Sequence, residues 1–347
     1  PTGANHVYVD ILTNAPIVDS AGALSDRVYV GYNASGALTI SGGGTLSTSD
    51  MSIVGYNDGS DGTVTVTGAG SDWTTTNNLR VGTNAGSTGT LTISDGATVS
   101  NATAYITGNA GSVGTVTVTG SGSIWTNTAY LDVGDYGTGT LRIEDGGRVN
   151  VTTGMEVASH EDSTGTLIIT GSGSQLVNSA NTYIANRPGA NATLTISDGG
   201  SLSNAVAYIG DDAGSTGTAT VTGAGSTWTN TSNLFIANAG TGTLTVSDGG
   251  AITNSAGVIG DDSGTTGTVT VTGSGSTWTN SANLTVGNGG VGNLTISDGG
   301  VVSNDYGYLG QASTATGNVS VTGTGSEWNH TNMFFVGRSG DGTLSIE

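Results

Sequence analysis

Two alternating sequence units, each about 25 residues long, repeat along almost the whole chain. The first unit reads GTVTVTGxGSxWTN followed by LxVG, and the second reads GTLTISDGGxVSN followed by xYIG. A fixed period of this length is typical of solenoids, propellers and repeat arrays. Successive units start 25 to 27 residues apart, at Gly36, Gly62, Gly89, Gly114, Gly139, Gly165, Ala192, Gly217, Gly242, Gly267, Gly292, Gly317 and Gly342.

Apolar and polar residues alternate within each unit, as in residues 63–67 and 90–93. A period of two predicts a strand with one buried face and one exposed face. Three short strands fit into one unit, whereas a four-stranded propeller blade needs about 40–50 residues. Because the two units match column by column, one unit is one structural repeat. The sequence therefore predicts an all-β solenoid, a β-helix with about 25 residues and three short strands per coil.

One column of the repeat contains all five Trp residues, alternating mostly with smaller apolar residues. This pattern predicts an interdigitated core rather than a ligand-binding role for the indoles. The column comprises Leu46, Trp73, Val99, Trp125, Val149, Leu176, Leu202, Trp228, Ile252, Trp278, Val302 and Trp328.

A second column, two residues further along each unit, is occupied by Asn. Stacked Asn side chains can bond one another along a solenoid axis, so an internal hydrogen-bonded ladder is predicted. Its members are Asn101, Asn127, Asn178, Asn204, Asn230, Asn254, Asn280 and Asn304.

The composition is rich in Gly, as a backbone with many tight turns requires, and its acidic excess disfavours anionic partners. Gly accounts for 62 of 347 residues, and corners such as Asp95-Gly96 need the positive φ that Gly adopts readily. The 26 acidic residues face only six basic ones, all Arg, for a net charge of −20. This balance excludes nucleic acid as a partner. The chain has no Cys and no apolar run long enough for a membrane helix.

The chain begins at Pro1 without an initiator Met and stops at Glu347 inside a repeat, which predicts a mature fragment of a longer protein. Residues 1–27 are predicted to form an N-terminal cap or an irregular first coil. Residues 28–347 are predicted to form the β-helix repeats, truncated at the C-terminus.

The units GTxTVTGxGSxWTN and GTLTxSDGG resemble the passenger-associated repeat of bacterial autotransporters, the proteins of type V secretion. The resemblance covers nearly all of residues 28–347 and implies a right-handed parallel β-helix exported to the cell surface of a Gram-negative bacterium. It implies that membrane attachment occurs only through a C-terminal translocator barrel. Because such passengers are most often adhesins, it also implies a function in adhesion, self-association or biofilm formation. The implied partners are other copies of the chain, or host and matrix glycans and proteins.

The sequence offers little catalytic chemistry. Its Arg residues are scattered, its three His residues lie in different coils, and most Asp residues recur at the Gly corners. The main departure from the repeat is residues 154–163, which contain Glu156, His160, Glu161 and Asp162 in what we interpret as a solvated loop. We therefore predict a protein without catalytic residues or cofactors. An enzyme acting on polysaccharide, with acids converging near residues 151–164, and a passive spacer are the alternatives.

Two pairs of acids, Asp211-Asp212 and Asp261-Asp262, are of the residue type that binds Ca²⁺. The nonapeptide calcium repeat GGxGxDxUx is absent, however, and turn chemistry explains acids at such corners. The sequence predicts no metal site.

An outward column of the third strand is enriched in aromatic residues, which occupy seven of its thirteen positions. Exposed aromatic stripes suit sugar stacking or contact with another protein, although aromatics also simply favour strands. The column therefore provides the predicted ligand or self-association surface, which consists of Tyr29, Tyr105, Tyr183, Tyr208, Phe235, Tyr308 and Phe335.

Overall fold

The computed structural model describes residues 5–347, which fall into two compact units with the boundary between Ser179 and Ala180. Each unit is a parallel β-solenoid whose turns contain three short strands. Neighbouring first strands pair in register, and the paired residues Gly217, Gly242 and Gly267 lie 25 positions apart. The predicted all-β parallel β-helix is confirmed in each unit.

The first unit contains nineteen strands within residues 5–179. Its first strands are Ile17–Val18, Gly36–Ile40, Asp61–Thr67, Thr88–Ser94, Val113–Thr119, Thr138–Glu144 and Thr164–Thr170. Its second strands are Ala23–Ser25, Thr45–Thr48, Ile124–Asn127, Arg148–Val151 and Gln175–Asn178. Its third strands are His6–Val9, Arg27–Val30, Ser52–Val54, Tyr130–Val133 and Gly154–Val157. In two turns the second and third strands are continuous, as Asp72–Val81 and Thr98–Ile106.

The second unit contains twenty strands within residues 180–347. Its first strands are Asn191–Ser197, Thr216–Thr222, Thr241–Ser247, Thr266–Thr272, Val291–Ser297, Thr316–Thr322 and Asp341–Ile346. Its second strands are Ser201–Asn204, Thr227–Asn230, Ala251–Asn254, Thr277–Asn280, Val301–Asn304 and Glu327–His330. Its third strands are Thr182–Ile184, Ala207–Ile209, Leu234–Ile236, Gly257–Ile259, Leu284–Val286, Gly307–Leu309 and Phe334–Val336.

The alternation of apolar and polar residues along each strand places the apolar side chains in the core. In Thr266–Thr272, every second residue is buried and those between are partly or fully exposed. The Trp column lies inside, as predicted: Trp228 is fully buried between its register partners Leu202 and Ile252. A large indole between two smaller side chains fills the interior at close-packed density.

The Asn column is also internal, but its bonds form closed groups rather than one continuous ladder. Asn204 Nδ2 donates to Asn230 Oδ1 at 2.8 Å, and Asn204 Oδ1 accepts a bond of 2.8 Å from Trp228 Nε1. The same arrangement joins Asn101 to Trp125 and Asn127. These bonds satisfy polar atoms that would otherwise be buried without a partner.

Each Asp-Gly corner places two consecutive residues in the left-handed region. Asp248 has a φ of 53° and Gly249 a φ of 86°, and the other Asp-Gly corners have similar angles. Asp tolerates this conformation better than most residues, and Gly adopts it without steric penalty. The corners therefore use the special conformation of both residues, not of Gly alone.

The N-terminal segment already adopts the solenoid pattern. His6–Val9 pairs in parallel with Arg27–Val30, and Ala23–Ser25 pairs with Thr45–Thr48. Its apolar side chains are less protected than those of later turns, and Leu24 remains 78% exposed. Within residues 5–347, no helix has the length and apolar character required to cross a membrane.

Candidate functional site

The predicted aromatic surface forms two stacks in the second unit. Tyr183 and Tyr208 stack with ring centroids 5.0 Å apart, and Tyr208 stacks on Phe235 at the same distance, with interplanar angles of 5° and 6°. The stacking follows from the parallel register, which pairs these three residues in adjacent turns. All three side chains are half-buried. Both faces of the Tyr208 ring are therefore covered by its neighbours.

A second stack lies further along the same column. Tyr308 and Phe335 stack at 5.3 Å with an interplanar angle of 5°, and the Arg338 guanidinium carbon lies 5.0 Å from the centre of the Tyr308 ring. Val258 and Thr285 occupy the column between the two stacks. The column thus presents two short aromatic stacks rather than one continuous stripe.

In the first unit, the two predicted aromatic residues are in different surroundings. Tyr29 is only 7% exposed, because the rings of Tyr8, Tyr32 and Tyr56 pack around it at centroid distances of 5.0 to 5.7 Å. Its prediction as an exposed surface residue is wrong. Half-buried Tyr105 has the Arg80 guanidinium carbon 4.4 Å from its ring centre.

A buried acid–histidine cluster occupies the same column, where the sequence predicted a surface residue. Asp132 is 3% exposed, in register with Tyr105 on one side and Glu156 on the other. Burial raises the pKa of Asp132 well above its usual value, and the nearby charge of Asp135 raises it further. A hydrogen bond of 2.6 Å from Ser159 Oγ to Asp132 Oδ2 opposes this shift.

The cluster is completed by residues from two adjacent turns. Asp135 follows the corner residue Gly134, and His160 lies two residues after Ala158, at the equivalent corner of the next turn. The Asp135 Oδ1 and His160 Nδ1 atoms are 2.7 Å apart. Burial raises the pKa of Asp135, while the positive charges of His160 and Arg80 lower it.

A Ser, a His and an Asp lie together here, but they do not form a catalytic triad. Ser159 Oγ lies 3.0 Å from His160 Nδ1, the same nitrogen that contacts Asp135. A triad requires the Ser and the Asp on opposite ring nitrogens, so that one nitrogen takes the Ser proton while the other is held by the acid. Ser159 is also 1% exposed, which keeps substrate from its hydroxyl.

The sequence pointed to part of this cluster only. The interpretation of residues 154–163 as a solvated loop is wrong for Gly154–Val157, which form a strand of the solenoid. The segment supplies His160 to the cluster, whereas Glu161 and Asp162 are exposed to solvent. The partners Asp132 and Asp135 lie one turn earlier, in a turn that otherwise follows the repeat. One feature of the sequence could have indicated the cluster. Asp132 occupies the column in which aromatic residues are frequent, and a second acid, Asp135, follows three residues later.

The paired acids considered for Ca²⁺ bond to neutral side chains or to Arg. Asp261 Oδ1 accepts a bond of 2.5 Å from Asn288 Nδ2 in the next turn, and Asp212 pairs with Arg187 at 3.1 Å. Burial raises the pKa of Asp261, and the Asn288 bond opposes that change. Asn238 Nδ2 donates in the same way to Asp211 Oδ1 at 2.9 Å.

The comparisons with known proteins give a similarity at the level of the fold alone. No family model matches the sequence, and no curated protein matches it in sequence. Among solved structures, the fold is similar to a fragment described as TibC-catalysed, hyper-glycosylated TibA, residues 55–350. The two chains share 19% identity with a TM-score of 0.56, over 99% of this chain and 95% of that chain. The likeness is one of fold.

Proposed function

We propose that this chain is the passenger domain of an exported bacterial surface adhesin of the autotransporter type, and that it acts by self-association through the side faces of its solenoid. The support for this class is the repeat itself, the solenoid fold and the fold similarity to the TibA fragment. A chain without Cys suits export, because no disulfide has to be reduced or re-formed on the way.

One observation favours protein contact over sugar binding at the aromatic column. Sugars are expected to stack on the face of an aromatic ring, and both faces of Tyr208 are covered by Tyr183 and Phe235. Partly exposed ring edges remain, and these can pack against apolar groups of another protein surface. We therefore assign the Tyr183–Tyr208–Phe235 stack as the centre of the self-association surface.

Charge sets the conditions under which copies would associate. A net charge of −20 makes two copies repel each other at long range. The screening length falls from about 30 Å at 0.01 M salt to about 8 Å at 0.15 M. Association is therefore expected to strengthen as the salt concentration rises.

Analytical ultracentrifugation and aggregation of protein-coated beads test this function. The wild-type chain is expected to associate at 0.15 M salt, and the double variant Tyr208→Ala, Phe235→Ala is expected to associate less. The matched control is Thr243→Ala, Thr268→Ala, which removes two hydroxyls from the first-strand face and leaves the stack intact. Circular dichroism establishes that each variant is folded.

Three outcomes would count against the proposal. The first is a wild-type chain that stays monomeric and leaves beads dispersed at every salt concentration. The second is an equal loss of association in the threonine variant, which would mean that the aromatic stack is not the centre of the association surface. The third is glycan-array binding that depends on Tyr208, which would favour carbohydrate recognition instead. Cell fractionation of the full-length parent protein tests the proposed surface location.

A further inference from the structure

The geometry points to a divalent transition-metal site, with Zn²⁺ as the representative ion, built from Asp132, Asp135 and His160. One potential ligand atom from each of these side chains lies within 4.8 Å of the other two. The site lies entirely within the first unit and is independent of the aromatic stacks. The sequence alone predicts no metal site, because its ligands come from two different turns.

The fold holds the three side chains at fixed positions. Asp132 belongs to the strand Tyr130–Val133, which pairs in parallel with Gly154–Val157. The corners that follow are joined by a backbone bond from Ser159 N to Gly134 O at 3.2 Å. Because the two corners are bonded to each other, Asp135 and His160 face the same space in every folded molecule. The potential ligands are therefore close together before an ion binds.

The buried acid supplies an independent argument for cation binding at this cluster. Asp132 is 3% exposed, and its Oδ1 accepts no hydrogen bond from the described residues. A buried carboxylate oxygen without a partner is costly, and metal coordination is one of the few ways to satisfy it. Asp135 is also buried, at 6% exposure, so two carboxylates share one poorly solvated space.

Neighbouring side chains orient the ligands as outer-shell groups do in metal sites. Ser159 Oγ donates to Asp132 Oδ2 at 2.6 Å and so fixes the rotation of that carboxylate. The Tyr136 ring stacks on the His160 imidazole with centroids 3.9 Å apart, which fixes the plane of the ligand ring. Outer-shell contacts of this kind are a regular part of metal sites.

The donor set selects the class of ion. One imidazole nitrogen and two carboxylate oxygens suit Zn²⁺, which takes four ligands at about 2.0–2.2 Å. Ca²⁺ prefers six to eight oxygen ligands, which this cluster does not offer. The His160 side chain is 40% exposed, so water can reach the ion and supply a fourth ligand. Zinc would replace the direct contact of 2.7 Å between His160 Nδ1 and Asp135 Oδ1, which has to widen to admit metal–ligand bonds of about 2.0–2.2 Å.

Isothermal titration calorimetry of the full chain, treated with a chelator and then dialysed, tests the site with ZnCl₂ alone. We expect one Zn²⁺ per chain with a dissociation constant in the micromolar range or below. His160→Gln is expected to weaken binding by at least about tenfold, because the ligand nitrogen is lost while a polar side chain is retained. His330→Gln, which lies in the second unit, is the matched control and should bind as the wild type does.

A second measurement keeps the test independent of folding defects. Co²⁺ bound to a four-coordinate site of the wild-type chain should give visible absorption bands, and Asp135→Asn should lose them while circular dichroism stays unchanged. The proposal is overturned if the wild type binds no Zn²⁺, if His160→Gln binds it equally well, or if CaCl₂ binds as tightly at the same site.

Discussion

The indole Nε1 of Trp228 donates a hydrogen bond of 2.8 Å to Oδ1 of Asn204, a residue 24 positions earlier in the preceding turn. The Asn204 amide then donates to Asn230 in the same turn as the indole. Each such group fastens one turn to the next through the interior of the solenoid. Since a solenoid is stabilised mainly by contacts between neighbouring turns, these bonds contribute to the interface between turns and so to cooperative folding.

Replacing Asn204 with Ala is expected to lower the free energy of unfolding by about 2–4 kcal/mol. The change leaves the buried Trp228 N–H without its acceptor and Asn230 Oδ1 without its donor. Urea unfolding followed by tryptophan fluorescence measures the loss. Asn283→Ala, at an exposed position in the same unit, is the control and should change stability by less than about 0.5 kcal/mol. Equal effects of the two variants would mean that the indole bond contributes nothing.

Thr48→Asn is expected to leave the first unit about 1 kcal/mol more stable than Thr48→Val does. Trp73 Nε1 is buried and has no hydrogen-bond partner among the described residues. The preceding turn carries Thr48 at the position where the turns before the other four Trp residues carry Asn. An Asn at this position can accept from the indole, as Asn101 does for Trp125. Thermal unfolding measures the gain. The control Thr48→Val offers no acceptor and breaks the bonds of Thr48 to Ser52 and Thr75, so it should be less stable than the wild type. A Thr48→Asn variant no more stable than Thr48→Val would contradict the prediction.

Val258→Phe is expected to extend the aromatic stack and stabilise the second unit by about 0.5–1 kcal/mol. Val258 is the register partner of Phe235, so a ring at this position falls directly on the existing stack. Val258→Leu adds apolar volume without a ring and separates stacking from simple burial. Denaturant unfolding compares the three proteins. If Leu stabilises as much as Phe, the stacked geometry of this column has no energetic value of its own.

The sequence was sufficient to predict the features that depend on local geometry within one turn. A period of two placed Trp228 inside, and the Asp-Gly pairs placed the corners, because both depend on local geometry. The bonds between turns were harder to predict. Trp228 has Leu202 as its register partner, yet its indole reaches Asn204, because a long side chain leans along the strand.

The acid–histidine cluster escaped prediction for a related reason. Asp132 belongs to a column that the alternating pattern marks as outward, and it is buried because Ser159 and the corner containing Asp135 lie over it. Asp135 and His160 are 25 residues apart in the sequence, but the parallel pairing of adjacent turns brings their side chains together. Such a site can be predicted only by comparing the residues at equivalent positions of adjacent turns.

The last turn provides a test of pH dependence at His330. Burial lowers the pKa of this half-buried imidazole, whose Nδ1 accepts a hydrogen bond of 3.0 Å from Asn304 Nδ2. The unfolded chain therefore binds a proton more readily than the folded chain does, and stability falls as the pH drops below the usual His value of about 6.5.

His330→Asn, which restores the residue found in this column at Asn280, removes that dependence. We expect hydrogen exchange in Phe334–Val336 to be slower in the variant than in the wild type at pH 5, after correction for intrinsic rates, and similar at pH 8. A difference of the same size at both pH values would show that the imidazole charge does not control the stability of this turn.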